Sequence, residues 1–122
     1  MTVLTIDPPA DLINANQRLH YHAKAKLTAA WRKAAAESVG FDPYHYPRAH
    51  ITVAIRFPTN HRRDVGNYYP TAKAILDGLV DAALLPDDND RHVIGPDMRR
   101  DHPNGPLRVT VTIRPLEDEA AA

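Results

Sequence analysis

The chain has 122 residues, of which 43% are hydrophobic and 25% charged, and its formal net charge at pH 7 is zero. This composition suits one soluble globular domain with a modest core and excludes wholesale disorder. The absence of cysteine excludes disulfides, thiolate nucleophiles and cysteine-type structural zinc, so Asp, Glu, Asn or His would have to hold any metal. The sequence lacks a signal-peptide pattern, and no apolar run reaches the ~20 residues of a membrane span. We therefore expect a cytoplasmic protein without a membrane partner.

Neutral net charge counts mildly against nucleic-acid binding, because proteins that bind nucleic acids are usually basic. The charges are unevenly spread, however. Much of the negative charge lies around Asp88 and in residues 117–119. Many basic residues precede these acidic segments: Arg18, Lys24, Lys26, Arg32, Lys33, Arg62, Arg63 and Lys73. The charge pattern therefore decides little between a DNA-binding protein and another kind.

The first half of the chain predicts a strand, a loop and a helix. Residues 3–6 alternate apolar and polar side chains and predict a short strand, which Asp7-Pro8-Pro9 stops. Residues 11–22 have no clear period and predict a loop. Residues 23–39 predict a helix that Gly40 and Pro43 end. Its apolar stripe follows helical spacing and consists of Leu27, Ala30, Trp31, Ala34 and Ser38.

The second half predicts two longer strands around another helix. Residues 50–57 alternate cleanly and predict a core strand. A helix is predicted from Pro70, which suits a first turn, to about Ala83. Its expected core stripe is Leu76, Leu79, Val80 and Ala83, with Lys73, Asp77 and Asp81 on the opposite side.

The end of the chain predicts a short strand at Val93-Ile94, a turn-rich loop over residues 99–106 and a last strand over residues 107–113. Residues 117–122 predict a loose tail. This order of elements predicts an α/β (α+β) fold in which two helices cover one face of a small mixed sheet. Residues 1–116 would form one domain.

Residues with chemical potential are concentrated between Arg62 and Asp90. Asp64 directly follows a predicted core strand, and Asp87 and Asp88 follow the helix expected to pack on that strand. Mg²⁺ takes oxygen ligands and combines one or two carboxylates with substrate phosphate, so this spacing indicates a candidate Mg²⁺ site. The structural alternative is a capping Asp and a solvated acidic turn.

Neighbouring side chains have the same two interpretations. Lys73 is either a point charge on a scissile phosphate or an i, i+4 partner of Asp77. Asn67 either orients a phosphate or water, or caps a turn. Arg62 and Arg63 are either solvated charges or phosphate contacts that position nucleic acid without reading sequence. The residues alone leave these alternatives open.

Other chemistries have weaker support. The seven histidines invite a metal hypothesis, and His20 and His22 would share a face if their segment were extended. Spacing places no third ligand near them, however. The sequence has no P-loop, no GxSxG and no glycine-rich dinucleotide fingerprint, so a kinase, esterase or dehydrogenase is not indicated.

Residues 62–90 read RRDVGNYYPTAKAILDGLVDAALLPDDND, and this segment resembles the RusA family of Holliday-junction resolvases, which phages and prophages often encode. In that family a strand ends in an R-D-x-D-N motif. A helix then supplies a lysine and an L-D-[AG]-L segment, and a D-D pair follows. The matching positions here are residues 63–67, Lys73, residues 76–79 and residues 87–88.

The N-terminal part extends the resemblance. Residues 16–32, NQRLHYHAKAKLTAAWR, are similar to the family's N-x-x-x-[HY]-[WY] and later [WY]-R pattern. The resemblance thus covers most of the chain, from Asn16 to the last strand. It implies a homodimeric α/β nuclease that binds four-way DNA junctions and needs Mg²⁺, for which Mn²⁺ substitutes. Such an enzyme nicks two opposing strands symmetrically and leaves 5′-phosphate and 3′-hydroxyl ends.

The resemblance also implies roles for individual residues. Asp64 and Asp88 would be metal ligands, Asp87 is the third candidate ligand, and Lys73 would be the cation that stabilises the transition state. Asp64, Lys73 and Asp88 are therefore the expected catalytic residues. The expected DNA-binding residues are Arg62, Arg63, Asn67, Asn16, Arg18, Lys24 and Lys26.

Gly66 departs from the family pattern because it replaces the second motif aspartate. A longer spacer, residues 68–72, also follows the motif. Either Asp77, Asp87 or Asp90 completes the site, or metal binding and turnover are weak. Losing one carboxylate endangers a two-metal arrangement, in which ions ~3.5–4 Å apart clamp the attacking and leaving oxygens.

Three hypotheses remain. The first is a Mg²⁺-dependent, structure-selective DNA endonuclease of recombination and repair, which the rich second acidic cluster favours. The second is a dimeric junction-binding module without catalysis, which Gly66 favours. The third is an unrelated small α/β domain with a solvated acidic turn.

Overall fold

The structure, a computed structural model, describes residues 1–41 and 45–116. The elements in chain order are β1 (Thr2–Ile6), α1 (Tyr21–Val39), β2 (Ala49–Arg56), a 3-10 helix (Val65–Tyr68), α2 (Tyr69–Asp81), β3 (Val93–Asp101) and β4 (Arg108–Pro115). The strands form one sheet in the order β1-β4-β2-β3. β2 runs parallel to β3 and antiparallel to β4, which also pairs antiparallel with β1. The predicted α+β fold with a mixed sheet and two helices is confirmed.

One face of the sheet carries the core. Alternate side chains of β2 and β4 are fully buried, and the residues between them are only half-buried, as the period-two pattern predicts. Both helices contribute to the same apolar cluster. Its fully buried members include Ile51, Val53, Ile55, Val109, Val111, Ile113, Trp31, Ala35, Ile75 and Leu79.

The two helices touch at Gly78 of α2. A Cβ placed there would lie 2.2 Å from the carbonyl oxygen of Arg32 and 2.8 Å from the Cβ of Ala35. Only glycine therefore allows the helices to approach this closely. Beside the contact, Arg32 Nε and Nη2 donate to the two carboxylate oxygens of Asp81 at 2.5 and 2.7 Å. This bidentate pair joins the helices at their outer edge.

β3 is longer than the sequence predicts. The loop predicted over residues 99–106 is wrong in its first part, because β3 continues to Asp101. The register shifts between His50 and Thr52, which pair with Ile94 and Asp97 respectively. Gly95 lies within this bulge at φ 105°. The strand therefore continues well beyond the short strand predicted at Val93-Ile94.

The helix stripes also need correction. In α1 the fully enclosed positions are Trp31, Ala35 and Val39, and Trp31 is the member of the predicted stripe that is buried. α1 also begins two residues earlier than predicted, at Tyr21. Ala83 lies beyond the end of α2 at φ 61° and is exposed, so it does not belong to the core stripe.

Pro43 and the predicted tail at residues 117–122 lie outside the described residues. Within the described ranges, no helix is both long enough and apolar enough to cross a membrane.

Candidate functional site

Asp64 begins the 3-10 helix that joins β2 to α2. Its backbone is extended, at φ −89° and ψ 108°, and its Oδ1 accepts a hydrogen bond of 3.0 Å from the backbone N–H of Gly66. The Asn67 N–H donates to the Asp64 carbonyl at 3.1 Å. Asp64 itself is exposed. The carboxylate therefore caps a turn, which is the structural alternative to a metal ligand, and remains accessible to solvent.

Arg63 holds the loop that precedes Asp64. Its guanidinium donates to the carbonyl and hydroxyl oxygens of Thr59 at 2.9 and 2.8 Å and lies over the Phe57 ring, 4.4 Å from the centroid. Arg62 next to it is exposed and forms no ion pair within the described residues. Of the two arginines expected to contact DNA, Arg62 is therefore the more exposed, and Arg63 is already hydrogen-bonded within its own loop.

Lys73 lies one turn into α2, which begins with Pro70 near its first position. Its Nζ donates to Asp77 Oδ1 at 2.9 Å and also to Asp88 Oδ2. The hydrogen bond to Asp88 raises the pKa of Lys73, and the contacts with Asp77 raise it further. The hydrogen bond from Lys73 lowers the pKa of Asp88. Two carboxylates thus converge on one ammonium group.

The acidic turn after α2 is ordered by short-range hydrogen bonds. Asp87 Oδ1 accepts from the Asp88 N–H at 2.7 Å, and Asp87 Oδ2 accepts from the Asn89 side chain at 3.3 Å. Leu84 and Leu85 before it are buried. They attach the turn to the core and so help to place Asp88 against α2. Asp87 serves the turn, and no hydrogen bond or ion pair joins it to Lys73 among the described residues.

The N-terminal loop is tied to the same region. Thr71 is fully buried, and its hydroxyl accepts from the Ile13 N–H at 2.8 Å and donates to the Ile13 carbonyl at 3.0 Å. The Ala15 N–H donates to the Asn67 carbonyl at 2.7 Å. Sequence reasoning missed Thr71, and no pattern in the sequence singles it out. It fixes the loop beside Asp64 to the start of α2.

The remaining residues expected to bind DNA lie on the surface near this loop and α1. Arg18, Lys24 and Lys26 are exposed and form no ion pairs in the part of the chain that the structure describes. Asn16 is exposed, and its backbone N–H donates to Asn14 Oδ1 at 2.8 Å. These side chains are thus available to an anionic partner.

The structure brings Lys73, Asp77 and Asp88 together but does not join Asp64 to them by a hydrogen bond or ion pair among the described residues. No three His, Cys, Asp or Glu side chains are grouped as a metal site within residues 1–41 and 45–116. Asp77 and Asp88 offer the oxygen ligands that hard cations take, but both already bind the Lys73 ammonium. A cation that binds Asp88 would therefore have to displace Lys73.

Comparison with protein-family models finds no match to this chain. Comparison with curated proteins finds no significant match either. The fold and the side chains therefore define a class only: a small α+β domain with a lysine held between two carboxylates at the start of its second helix. The likeness to RusA resolvases remains a prediction from the sequence.

Proposed function

We propose that this protein is a Mg²⁺-dependent, structure-selective DNA endonuclease that resolves four-way junctions by paired symmetric nicks in recombination and repair. The proposal includes a homodimer in the cytoplasm and Mn²⁺ as a substitute ion. One observation carries it: Lys73 is held between Asp77 and Asp88, so the lysine and the second acidic cluster of the resemblance meet in space. The order of motifs over residues 62–90 supports the same function.

The residues of this chain have defined roles in the proposed reaction. Asp64 and Asp88 would hold the ion, with Asp87 as a third candidate ligand. A bound Mg²⁺ supplies charge neutralisation and an activated water. Lys73 would donate from its ammonium to a non-bridging phosphate oxygen, where negative charge develops. Asp77 would position Lys73 by the i, i+4 hydrogen bond.

Exposed basic side chains would supply the affinity for DNA. Arg62, Arg18, Lys24 and Lys26 would contact phosphates, which position a duplex without reading its sequence. Arg63 and Asn67 would act through the loop that they hold. Binding of this kind weakens as salt is raised, because phosphate contacts release counterions.

The test is cleavage of a labelled synthetic four-way junction, compared with linear duplex, in Mg²⁺, Mn²⁺ or EDTA. We expect paired nicks that require the metal, and a fall of about 100-fold or more in Asp64→Asn and Asp88→Asn. Asp7→Asn is the matched control, because Asp7 is an exposed aspartate outside the site. Absence of any junction preference in the wild-type protein would reject the proposal.

The second candidate is a junction-binding module without catalysis. Gly66 favours it, because glycine supplies no ligand and Asp64 is already engaged with the backbone of Gly66. A Cβ at Gly66 would lie 3.2 Å from Asp64 Oδ1, and the exposed carboxylate of Asp64 has room to move. Gly66→Asp should therefore be tolerated. If the wild type binds junctions without cutting them and Gly66→Asp gains metal-dependent cleavage, this second candidate is correct.

A further inference from the structure

Three exposed aromatic rings are clustered at the start of α1. The centroids of His20 and Tyr21 lie 4.6 Å apart, those of His20 and His22 5.1 Å apart, and those of Tyr21 and His22 4.0 Å apart. All three residues are exposed, and Tyr21 is 70% exposed. These rings pack on one another and not on the core. They form an exposed aromatic cluster whose ring planes are inclined to one another by 28° to 38°.

A groove extends from these rings along the outer face of α1. Its volume is about 410 Å³, and its walls are Tyr21, Lys24, Ala25, Thr28, Ala29 and Arg32. The spacing of these residues follows one helix face, so the groove extends for ~16 Å at 1.5 Å per residue. The alanines make a shallow floor, and Lys24 puts a positive charge at its edge. We call it the α1 groove.

The far end of the α1 groove reaches the polar side of α2. Arg32 donates two hydrogen bonds to the carboxylate of Asp81. The charge of Asp77 also contributes to the raised pKa of Arg32. Asp77 in turn holds Lys73. Polar side chains of α2, two of them carboxylates, therefore lie between the groove and Lys73.

We infer that the α1 groove binds an unpaired DNA strand, with a base stacked on Tyr21 and a phosphate on Lys24. In a duplex the base faces are covered by neighbouring pairs, whereas the bases of an open strand can stack on aromatic side chains. Lys24, which lines the groove, has no ion-pair partner among the described residues. This uncompensated charge favours a polyanion over a second copy of the chain. That the strand continues toward Lys73 rests on the proposed nuclease function, whereas strand binding itself does not.

The experiment measures binding of a fluorescently labelled oligothymidylate by anisotropy in EDTA at low salt, so that no cleavage occurs. Tyr21→Ala should weaken binding about 10-fold, because one base–aromatic stack is lost. Tyr21→Trp should restore it. Phe41→Ala is the matched control: Phe41 is fully exposed just beyond the opposite end of α1, so its removal should leave the affinity unchanged.

Two further readouts test directly for a base stacked on Tyr21 and a phosphate on Lys24. A 2-aminopurine base in the oligonucleotide should be quenched by the wild-type protein and much less by Tyr21→Ala. Lys24→Gln should reduce the dependence of affinity on salt, since one phosphate contact is lost. Light scattering on the same variants reports whether the groove instead joins two copies of the chain.

The outcomes distinguish this inference from the proposed function. Equal oligonucleotide affinity for wild type and Tyr21→Ala overturns it, as does failure of the wild type to bind the single strand. A changed oligomeric state in Tyr21→Ala with unchanged affinity also overturns it. Tyr21-dependent strand binding by a protein that cuts no junction supports the inference and rejects the proposed nuclease.

Discussion

Asp64 and Asp88 are the two carboxylates on which the proposed chemistry depends most, and the fold holds them in different ways. Asp64 is exposed and accepts one hydrogen bond from a backbone N–H two residues away. Asp88 is half-buried and pairs with Lys73, which is fifteen residues away along the chain. One carboxylate is held locally, and the other is held by tertiary structure.

The difference has a consequence for the proposed enzyme. A cation that approaches Asp64 finds an accessible carboxylate with a single neutral hydrogen bond. A cation that approaches Asp88 must compete with an ammonium that stabilises the charged form. Binding of a metal at Asp88 would therefore release Lys73, whose charge then becomes available to a phosphate. In the proposed enzyme, metal binding at Asp88 and release of Lys73 toward the phosphate would therefore be coupled.

Replacing Lys73 should give the largest effect. Lys73→Gln removes the charge at Asp88 and leaves Asp64 untouched. We expect junction cleavage to fall about 100-fold or more with little change in junction affinity. Binding of Mn²⁺, measured by titration calorimetry, should tighten, because Asp88 loses the cation that competes for it.

Lys33→Gln is the matched control for this substitution. Lys33 forms an exposed i, i+4 ion pair with Glu37 at 3.8 Å, so its loss should change neither cleavage nor metal binding. If Lys73→Gln behaves like Lys33→Gln, Lys73 is an ordinary surface partner of Asp77 and the proposed role is wrong.

The contacts between residues close together in the chain could be predicted from the sequence. The spacing of Lys73 and Asp77 gives their ion pair directly, because residues four apart share a helix face. A cap was one of the two alternatives for Asp64, since Asp commonly accepts from a backbone N–H two residues on.

The contacts between residues far apart in the chain could not be predicted from the sequence. The Lys73–Asp88 pair depends on a turn in which Ala83 has φ 61°. Positive φ is uncommon for alanine, so the sequence does not predict this turn. The buried contact of Thr71 with Ile13 spans 58 residues. For the fold as a whole, the alternation of apolar and polar residues predicted the strands, and the helical spacing of apolar residues predicted the helices. β3 extends beyond its predicted end because its pairing with β2 continues after the register shift at the Gly95 bulge.

Thr71 offers a way to disturb the Asp64 end alone. Thr71→Val keeps the shape of the side chain but leaves the buried N–H and carbonyl of Ile13 without their hydroxyl partner. The expected loss is about 1–3 kcal/mol in the free energy of unfolding, measured by urea denaturation. Thr71→Ser retains the hydroxyl and should lose less. Equal stability of the Val variant and the wild type would mean that water replaces the hydroxyl.

The smallest expected effect is the dependence of stability on pH at the Asp88 end. The pKa of Asp88 is lowered in the folded protein by Lys73. Its contribution to stability is therefore complete above the unfolded value of ~3.9 and is lost as the pH falls through the folded pKa. The pKa of Lys73 is raised, so its contribution is complete below ~10.4 and is lost as the pH rises through its folded pKa.

Urea unfolding of the wild type, Asp88→Asn and Asp64→Asn between pH 2 and pH 7 measures the acid side of this dependence. Because the Lys73 and Asp88 side chains are 44% and 23% exposed, solvent screening limits the pair to less than about 1 kcal/mol. In Asp88→Asn the free energy of unfolding should depend less on pH in the acid range, because the ion pair is lost. Asp64→Asn keeps the ion pair, so the difference between the two variants gives the contribution of the pair. If Asp88→Asn keeps the full slope of the wild type, the pair adds nothing to folding. Asp88 would then be held by the buried Leu84-Leu85 turn, and its contact with Lys73 would matter only for the metal and the phosphate.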